Sequence, residues 1–363
     1  MTRFPDIAPG QRIETLPTPI PVIDEAVMQA NIERVQAYMR QHGIAFRPHI
    51  KTHKLASVAR RQLEAGAVGI NCQKISEARV FADAGFADIL ITYNIVGEGK
   101  LDALKALHAD VPRLSVTADS AATIEGLANT FSAERPLTVL VECDTGGGRC
   151  GVQSPEDAVA LAKTIFQAPG LAFGGLMTYP APRSEERTEA FFAAAKGALD
   201  GAGIPCPVIT NGGTPSLFSA HLVPTATEHR AGTYVYNDRA MMRAGHCTLE
   251  DCAMRILATV VSRPTPERAV IDAGSKALTS DLLGFEDHGL LPDLPEARIT
   301  GLSEEHGVID LGPHAGDRPA VGDRVSIVPN HTCVVTNLFD FMVFHRDGVV
   351  TRVEPILARG QVW

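Results

Sequence analysis

Short runs rich in Val, Ile and Leu alternate with longer amphipathic stretches from about residue 20 to 240. Strict alternation of strands and helices implies right-handed crossover units and a parallel sheet. Eight such units match the closed (β/α)8 barrel, whose catalytic groups lie at the carboxyl ends of its strands. The predicted strands are Ile44–Lys51, Gly69–Lys74, Asp88–Asn94, Arg113–Asp119, Thr138–Asp144, Phe173–Tyr179, Pro207–Gly213 and Thr227–Tyr236. The predicted helices between them include Ile75–Ala84, Ala121–Thr130, Ser154–Gln167 and Glu186–Ala202.

The pattern changes after about residue 245. Strand-like runs follow one another with turn residues between them, at Arg255–Val261, Arg268–Asp272 and Arg324–Val328. This arrangement predicts a mostly antiparallel β domain. The fold class is therefore α/β, with a TIM-like (β/α)8 barrel over residues 19–245. Residues 1–18 are too short to fold alone, and we expect them to join residues 246–363 in the β domain.

Composition excludes several classes of function. The formal net charge of the 363 residues is −9, and nucleic-acid binding needs clustered Lys and Arg instead. No apolar run approaches the roughly 20 residues of a membrane helix, and residues 1–15 lack the apolar core of a signal peptide. Seven cysteines at irregular spacings do not form a disulfide framework. These features predict a soluble, cytoplasmic protein that binds neither nucleic acid nor membranes.

The densest group of chemically active side chains lies at the end of the first predicted strand. Alternate residues of a strand share one face, so Arg47, His49 and Lys51 are expected to point together into the barrel. A desolvated lysine has a lowered pKa and can attack an aldehyde. A solvated basic loop is the alternative interpretation, and the position at a strand end favours the site.

Five motifs follow one another along the chain: Arg47–Lys54, Asp144–Val152, Asn211–Thr214, Ser303–Gly307 and Pro329–Cys333. In composition and order these motifs resemble those of the fold-type III pyridoxal phosphate enzymes. Within that group the chain is similar to the D-threonine aldolase / D-serine dehydratase family, whose members are relatives of alanine racemase. The resemblance implies a Schiff base between Lys51 and pyridoxal 5'-phosphate, and a homodimer, because related enzymes complete their sites across subunits.

Two glycine-rich segments bear on cofactor binding. Gly146, Gly148 and Gly151 fit the spacing of a dinucleotide-binding loop, but no acidic residue follows the next strand at the required distance. The resemblance instead places Arg149 beside the phenolic oxygen of pyridoxal phosphate. Loops after strands seven and eight commonly bind phosphate in barrels, although glycines in tight turns have a structural explanation too. The other residues that the resemblance assigns to the cofactor are His49, Tyr179, Asn211, Gly212, Gly213, Thr214, Gly232, Thr233 and Tyr236.

A candidate metal pair lies near the end of the chain. His331 and Cys333 are two residues apart, and in an extended segment both side chains would face one ion. Imidazole and thiolate suit zinc, and other divalent metals such as manganese remain possible. The resemblance places the family's metal at this pair, with His-x-Asp in aldolases and His-x-Cys in dehydratases.

The resemblance implies a metal-assisted lyase that acts on D-3-hydroxy-α-amino acids. We favour a D-threonine aldolase, which yields glycine and an aldehyde, whereas Cys333 favours a dehydratase that yields a keto acid and ammonia. The aldolases often have a histidine where this chain has Pro180, after Tyr179, so His306 is the candidate for the acid–base group. A racemase would need a tyrosine from the β domain, and residues 246–363 contain none. A non-catalytic pyridoxal carrier would lack the β domain.

Overall fold

The computed structural model describes residues 6–312, 316 and 318–363. Among these residues, no helix has both the length and the apolar character needed to cross a bilayer. In chain order the strands are β1 (Ile20–Asp24), β2 (Ala45–Phe46), β3 (Ile70–Cys72), β4 (Asp88–Asn94), β5 (Arg113–Ala118), β6 (Leu137–Cys143), β7 (Leu171–Thr178), β8 (Val208–Asn211), β9 (Glu228–His229), β10 (Met254–Thr265), β11 (Arg268–Ile271), β12 (Arg298–Leu302), β13 (Gly307–Asp310), β14 (Arg324–Ile327), β15 (Phe341–Arg346) and β16 (Val349–Pro355).

The α-helices are α1 (Glu25–Gln41), α2 (Ala56–Glu64), α3 (Ile75–Asp83), α4 (Glu98–Asp110), α5 (Ala121–Thr130), α6 (Pro155–Gln167), α7 (Glu185–Gly201), α8 (Arg239–Arg243), α9 (Ser275–Leu278) and α10 (Thr332–Thr336). Short 3-10 helices cover Ile13–Thr15, Ile50–Thr52, Thr214–Leu222 and Thr233–Val235.

Strands β2 to β9 form one eight-stranded parallel sheet in the order β2-β9-β8-β7-β6-β5-β4-β3. The two ends of this sheet meet where His49 bridges Asn71, whose N–H donates to the Pro48 carbonyl at 2.8 Å. The inner strands are buried along nearly their whole length, as expected for strands covered on both faces. The predicted TIM-like barrel is therefore confirmed.

Local sequence explains where two barrel helices begin. Ser120 and Ser154 lie directly before α5 and α6, and each side chain accepts a hydrogen bond from the N–H three residues later. Such caps satisfy donors that have no partner within the helix. In α5 the buried residues Thr123, Ile124 and Leu127 share the face that packs on the barrel.

A second sheet has the order β12-β13-β11-β10-β1-β15-β16, with β14 also paired to β10. The β1–β15 pair is parallel, and the other pairs in this sheet are antiparallel. Residues before β1 pair with this sheet as well, since Gly10 and Ile13 donate to the carbonyls of Val350 and Gly348. The predicted mostly antiparallel C-terminal sheet is confirmed, although it includes one strand from near the N-terminus.

The chain divides into two units by its internal contacts. The sheet unit comprises the residues up to Ile32, together with Thr52–Leu55 and Thr233–Gly360. The barrel unit comprises Glu33–Lys51, Ala56–Gly232 and Gln361–Trp363. The domain boundaries at residues 19 and 245 remain a proposal, and each unit is described separately below.

Candidate functional site

Lys51 lies just beyond the first barrel strand and not on it. The predicted strand Ile44–Lys51 is wrong in its second half, because β2 ends at Phe46 and Lys51 occupies the 3-10 turn Ile50–Thr52. Pro48 lacks an N–H and so removes one donor from the ladder, and the pairing continues only as an isolated bridge at His49. Lys51 is half-buried at this turn.

His49 is held against the backbone of Lys51. The Nδ1 atom of His49 accepts a hydrogen bond from the Lys51 N–H at 3.3 Å, and its Nε2 lies 3.0 Å from Oε1 of Gln73. Because the amide oxygen only accepts, Nε2 must carry the proton. These two bonds fix the ring of His49 beside the lysine.

Arg47, predicted to face the site with His49 and Lys51, has a structural role instead. Its guanidinium donates to Glu228 at 3.0 Å and to Asp88 at 2.6 Å, and only 12% of its side chain is exposed. Burial alone would lower the pKa of Arg47, but the charges of Glu228 and Asp88 raise it. The arginine therefore ties three barrel strands together.

The glycine-rich loop after β6 folds around one carboxylate. Asp144 accepts hydrogen bonds from the N–H groups of Gly146 at 2.8 Å and Gly148 at 3.1 Å. Burial would raise the pKa of Asp144, but these backbone bonds hold it below its usual value. The loop thus presents Arg149, whose guanidinium carbon lies 4.8 Å from the ring centre of Tyr179. Arg149 and Tyr179 follow neighbouring strands and form a cation–π pair.

The loop Asn211–Thr214 follows β8 and packs tightly against two rings. Gly212 has φ +106°, and a Cβ there would lie 2.0 Å from Cε1 of His229. A Cβ on Gly213 would lie 2.7 Å from Cε2 of Tyr179. Both glycines are therefore required by close approach, and the second contact joins this loop to the Arg149–Tyr179 pair.

Several buried polar atoms around this loop have no hydrogen-bond partner among the described residues. They are Oδ1 of Asn211, Oγ1 of Thr214 and Nδ1 of His229. Burial lowers the pKa of His229 to about 3, so its ring is neutral, and its Nε2 donates to the Gly213 carbonyl at 3.3 Å. Buried polar groups without partners are rare in proteins, so this loop fits a polar ligand that the chain does not supply.

The segment after β9 was predicted as a strand through Tyr236. This prediction is wrong, because β9 ends at His229 and Thr233–Val235 form a 3-10 helix. Tyr236 is fully buried in the sheet unit, and its hydroxyl has no partner among the described residues. Burial raises the pKa of this phenol well above its usual value. Gly232 is the last residue of the barrel unit before this turn.

The two predicted metal ligands come together in the sheet unit. The segment is not extended as predicted, since His331 is the extended residue before α10 and Cys333 lies in the first turn of that helix. The two side chains nevertheless lie close enough for Cys333 to raise the pKa of His331. Burial alone would lower the pKa of His331, but Cys333 and then Asp281 raise it to about 9.

Three polar residues that sequence analysis did not identify surround this pair. Nδ1 of His331 lies 2.8 Å from Oδ2 of Asp281, and Oγ1 of Thr52 lies 3.1 Å from Sγ of Cys333. Asp238 accepts from the N–H of Thr332 at 3.1 Å and from its hydroxyl at 3.3 Å. These contacts join residues up to 281 positions apart, so no local pattern could have identified them.

His306 does not lie in a comparable environment. It is exposed in the turn between β12 and β13, where its carbonyl accepts from the N–H of Ser303. Its role as an acid–base group stays a prediction. Across the described part of the chain, no three His, Cys, Asp or Glu side chains are arranged to hold a metal ion.

Within the barrel unit, the site residues share one topological position. Lys51, Arg149, Tyr179 and the loop Asn211–Thr214 each follow the carboxyl end of a parallel strand. In barrel enzymes this edge carries the catalytic groups. The candidate active site is therefore this edge, with a lysine, an arginine–tyrosine pair and a loop that fits a polar ligand.

Two family models match consecutive parts of the chain. The model of the alanine racemase N-terminal domain matches residues 23–240, and that of a putative serine dehydratase domain matches residues 253–345. The chain is 37% identical to a D-threonine aldolase from Arthrobacter sp., over 98% of this chain and 96% of the relative. It is 34% identical to a D-threo-3-hydroxyaspartate dehydratase from Delftia sp. strain HT23, over 94% and 98%.

Solved structures of related enzymes also match nearly the whole chain. The crystal structure of a D-threonine aldolase from Filomicrobium marinum has a TM-score of 0.90 and 32% identity, over 98% of this chain and 100% of that one. Structures of D-threo-3-hydroxyaspartate dehydratase include alanine variants of a histidine and of a cysteine two positions later. The histidine variant has a TM-score of 0.88 and 31% identity, over 98% of this chain and 97% of that one. The cysteine variant has a TM-score of 0.86 and 32% identity, over 97% of this chain and 100% of that one. The cysteine variant is described as metal-free.

Proposed function

Because the chain belongs to the family that joins an alanine racemase N-terminal domain to a serine dehydratase domain, we propose that it is a pyridoxal phosphate- and divalent-metal-dependent lyase of D-3-hydroxy-α-amino acids. Members of this family cleave or dehydrate such amino acids, and we favour the D-threonine aldolase reaction. The observation that carries the proposal is the similarity to a D-threonine aldolase along nearly the whole chain.

The proposed cofactor site uses residues at the carboxyl edge of the barrel. Lys51 binds the cofactor through Nζ, and the loop Asn211–Thr214 holds its phosphate. The unpartnered hydroxyl of Thr214 supports this assignment, because it can donate to a phosphate oxygen. When bound, pyridoxal phosphate withdraws electrons from the α-carbon of the substrate. Arg149 is proposed to lie beside the phenolic oxygen, with Tyr179 holding the guanidinium in place.

Further cofactor-binding assignments rest on the sequence resemblance. They are His49, Gly232, Thr233 and Tyr236. His49 contacts the backbone of Lys51 and so can hold the lysine turn in one conformation. The unpartnered hydroxyl of Tyr236 is consistent with a role in binding a phosphate.

His331 and Cys333 are proposed to bind the metal, zinc or manganese. Cys333 lies close enough to raise the pKa of His331, and imidazole with thiolate is a donor set that suits such ions. The structures of the related dehydratase support this assignment, since they record variants of a histidine and a cysteine at the same spacing. A metal here would bind the 3-hydroxyl of the substrate and lower its pKa.

The dehydratase reaction is the second candidate, and Cys333 is the residue that favours it. In that reaction Nζ of Lys51 takes the α-proton and the hydroxyl leaves. In the aldolase reaction the hydroxyl loses its proton and the bond between Cα and Cβ breaks. A homodimer is expected from the resemblance, and light scattering after gel filtration measures it directly.

The decisive experiment incubates the purified holoprotein with D-threonine, D-serine and D-threo-3-hydroxyaspartate. Glycine plus an aldehyde identifies an aldolase, and a keto acid plus ammonia identifies a dehydratase. Chelation should abolish turnover, and added manganese or zinc should restore it, which separates the lyase from a racemase or a carrier. The proposal fails if none of these D-amino acids is consumed, or if L-threonine is consumed equally fast.

A further inference from the structure

We propose that Asp281 and Thr52 are positioning residues of the metal centre, Asp281 by orienting His331 and Thr52 by holding the sulfur of Cys333. This inference rests on the proposed function, because it concerns the same metal pair. All four residues belong to the sheet unit.

Asp281 determines which nitrogen of His331 is available to a metal. Its Oδ2 lies 2.8 Å from Nδ1 of His331. A carboxylate accepts and does not donate, so Nδ1 carries the proton and the lone pair of Nε2 is left for a metal. Metal-binding histidines commonly donate their other N–H to a carboxylate in this way.

The position of Asp281 is itself fixed by its own loop. Its backbone N–H donates to Oγ1 of Thr279 at 3.1 Å, and Thr279 has the left-handed φ of +66°. A β-branched residue rarely adopts this conformation, and it persists where the surrounding structure determines it. The carboxylate is therefore presented to His331 by a constrained turn.

Thr52 is placed to act on the second ligand. Its side chain is fully buried, and its hydroxyl lies 3.1 Å from Sγ of Cys333. A metal-bound sulfur is a thiolate, which can only accept, so the hydroxyl must donate. The carbonyl of Thr52 in turn accepts from the hydroxyl of Thr336 at 2.7 Å, on the helix that carries Cys333. The hydroxyl and the sulfur are thus held at a fixed separation.

The residue between the two ligands is anchored as well. Asp238 accepts from both the N–H and the hydroxyl of Thr332, and the same carboxylate accepts from the N–H of Met241 at the start of α8. The backbone of the ligand segment is therefore fixed without a metal. Asp281 then fixes the orientation of the His331 ring, and Thr52 fixes the position of the Cys333 sulfur.

The test measures metal binding directly. The metal-stripped protein is titrated with cobalt(II), and absorption reports both occupancy and the sulfur-to-cobalt charge-transfer band. Asp281→Ala should weaken binding by roughly 10- to 100-fold, the range for lost partners of metal ligands, and Asp281→Asn should recover part of it. Thr52→Val should shift the charge-transfer band, because the sulfur loses its hydrogen-bond donor.

Two control variants distinguish the loss of a positioning contact from a general loss of folded structure. Asp340→Ala removes an exposed carboxylate that pairs with Arg359, and Thr300→Val removes an exposed hydroxyl from β12. Neither control should change cobalt affinity or the spectrum, and circular dichroism checks the fold of every variant.

The outcomes distinguish this inference from the proposed function. If the wild-type protein binds cobalt and both Asp281→Ala and Thr52→Val match it in affinity and spectrum, the positioning roles are refuted while the lyase proposal stands. If the wild-type protein binds no cobalt, manganese or zinc, the metal-dependent function fails and this inference fails with it.

Discussion

Replacement of Gly212 by alanine tests whether the loop after β8 is shaped by close approach. The left-handed φ of +106° costs an alanine about 1–2 kcal/mol. The new Cβ would also lie 2.0 Å from Cε1 of His229. That ring is fully buried and bonded to the Gly213 carbonyl, so it has little room to move. Overpacking of this kind costs about 1–3 kcal/mol.

Gly203 provides the matched control. It also has a left-handed φ, +69°, but a Cβ there would meet nothing within 4 Å. Gly203→Ala should therefore incur only the backbone cost. The difference between the two variants, about 1–3 kcal/mol, is the contribution of the contact with His229.

Two measurements check the prediction. Urea unfolding of the cofactor-free protein, followed by circular dichroism, gives the free energy of unfolding. Absorption during titration with pyridoxal phosphate gives its Kd. Where the cofactor-free loop relaxes away from His229, the contact cost of about 1–3 kcal/mol appears on binding instead, and the Kd of Gly212→Ala should exceed that of Gly203→Ala by roughly 5- to 150-fold. Equal stability and equal Kd in the two variants would refute the reasoning.

Three further predictions follow from the barrel unit. Arg47→Met should destabilise the fold by about 3–5 kcal/mol, since it leaves the buried carboxylate of Glu228 without its arginine. Arg113→Met should cost at most about 1 kcal/mol in urea unfolding, because this partner of Asp88 is 71% exposed. His229→Asn should reduce the loss of stability on acidification. His229 takes up a proton near pH 6.5 in the unfolded chain and only near pH 3 in the folded chain. Between these pH values the free energy of unfolding of the wild type should therefore fall by about 1.4 kcal/mol more per pH unit than that of the variant. Parallel plots of unfolding free energy against pH for the two proteins would contradict this. Lys51→Ala should lose both turnover and the absorption of covalently bound cofactor, and the idea fails if that absorption persists after dialysis.

Local sequence predicts most of the barrel because its elements have local causes. The strand Asp88–Asn94 and the helix Ala121–Thr130 have the predicted bounds, since a continuous buried run defines the first and Ser120 caps the second. The predicted first barrel strand is too long, because Pro48 removes a ladder donor and the chain turns into a 3-10 helix at Ile50, while the residues there still have a strand-like pattern. The role proposed for Lys51 requires only a position just beyond the strand, and that position at the barrel edge was predicted correctly.

The residues of the proposed metal centre were only partly predictable from the sequence. His331 and Cys333 are close in sequence and carry a motif, whereas Asp281 and Thr52 reach them only through the folded chain. A turn residue such as Asp281 has no local signature that separates it from any other loop aspartate. Likewise, Arg47 resembled a site residue until its partners Asp88 and Glu228 were known.

The place of β1 in the second sheet affects how the protein is made. This strand lies between β10 and β15, so it has a neighbour on each side only after residue 346 has been synthesised. At about 5–20 residues per second, the ribosome needs roughly 15–65 s to add the more than 300 residues that separate β1 from the end of β15. During that interval β1 has an unpaired edge, while the barrel strands, which are close to one another in sequence, can already assemble. An unpaired strand edge can pair with another chain, so β1 is open to aggregation until β15 has been synthesised.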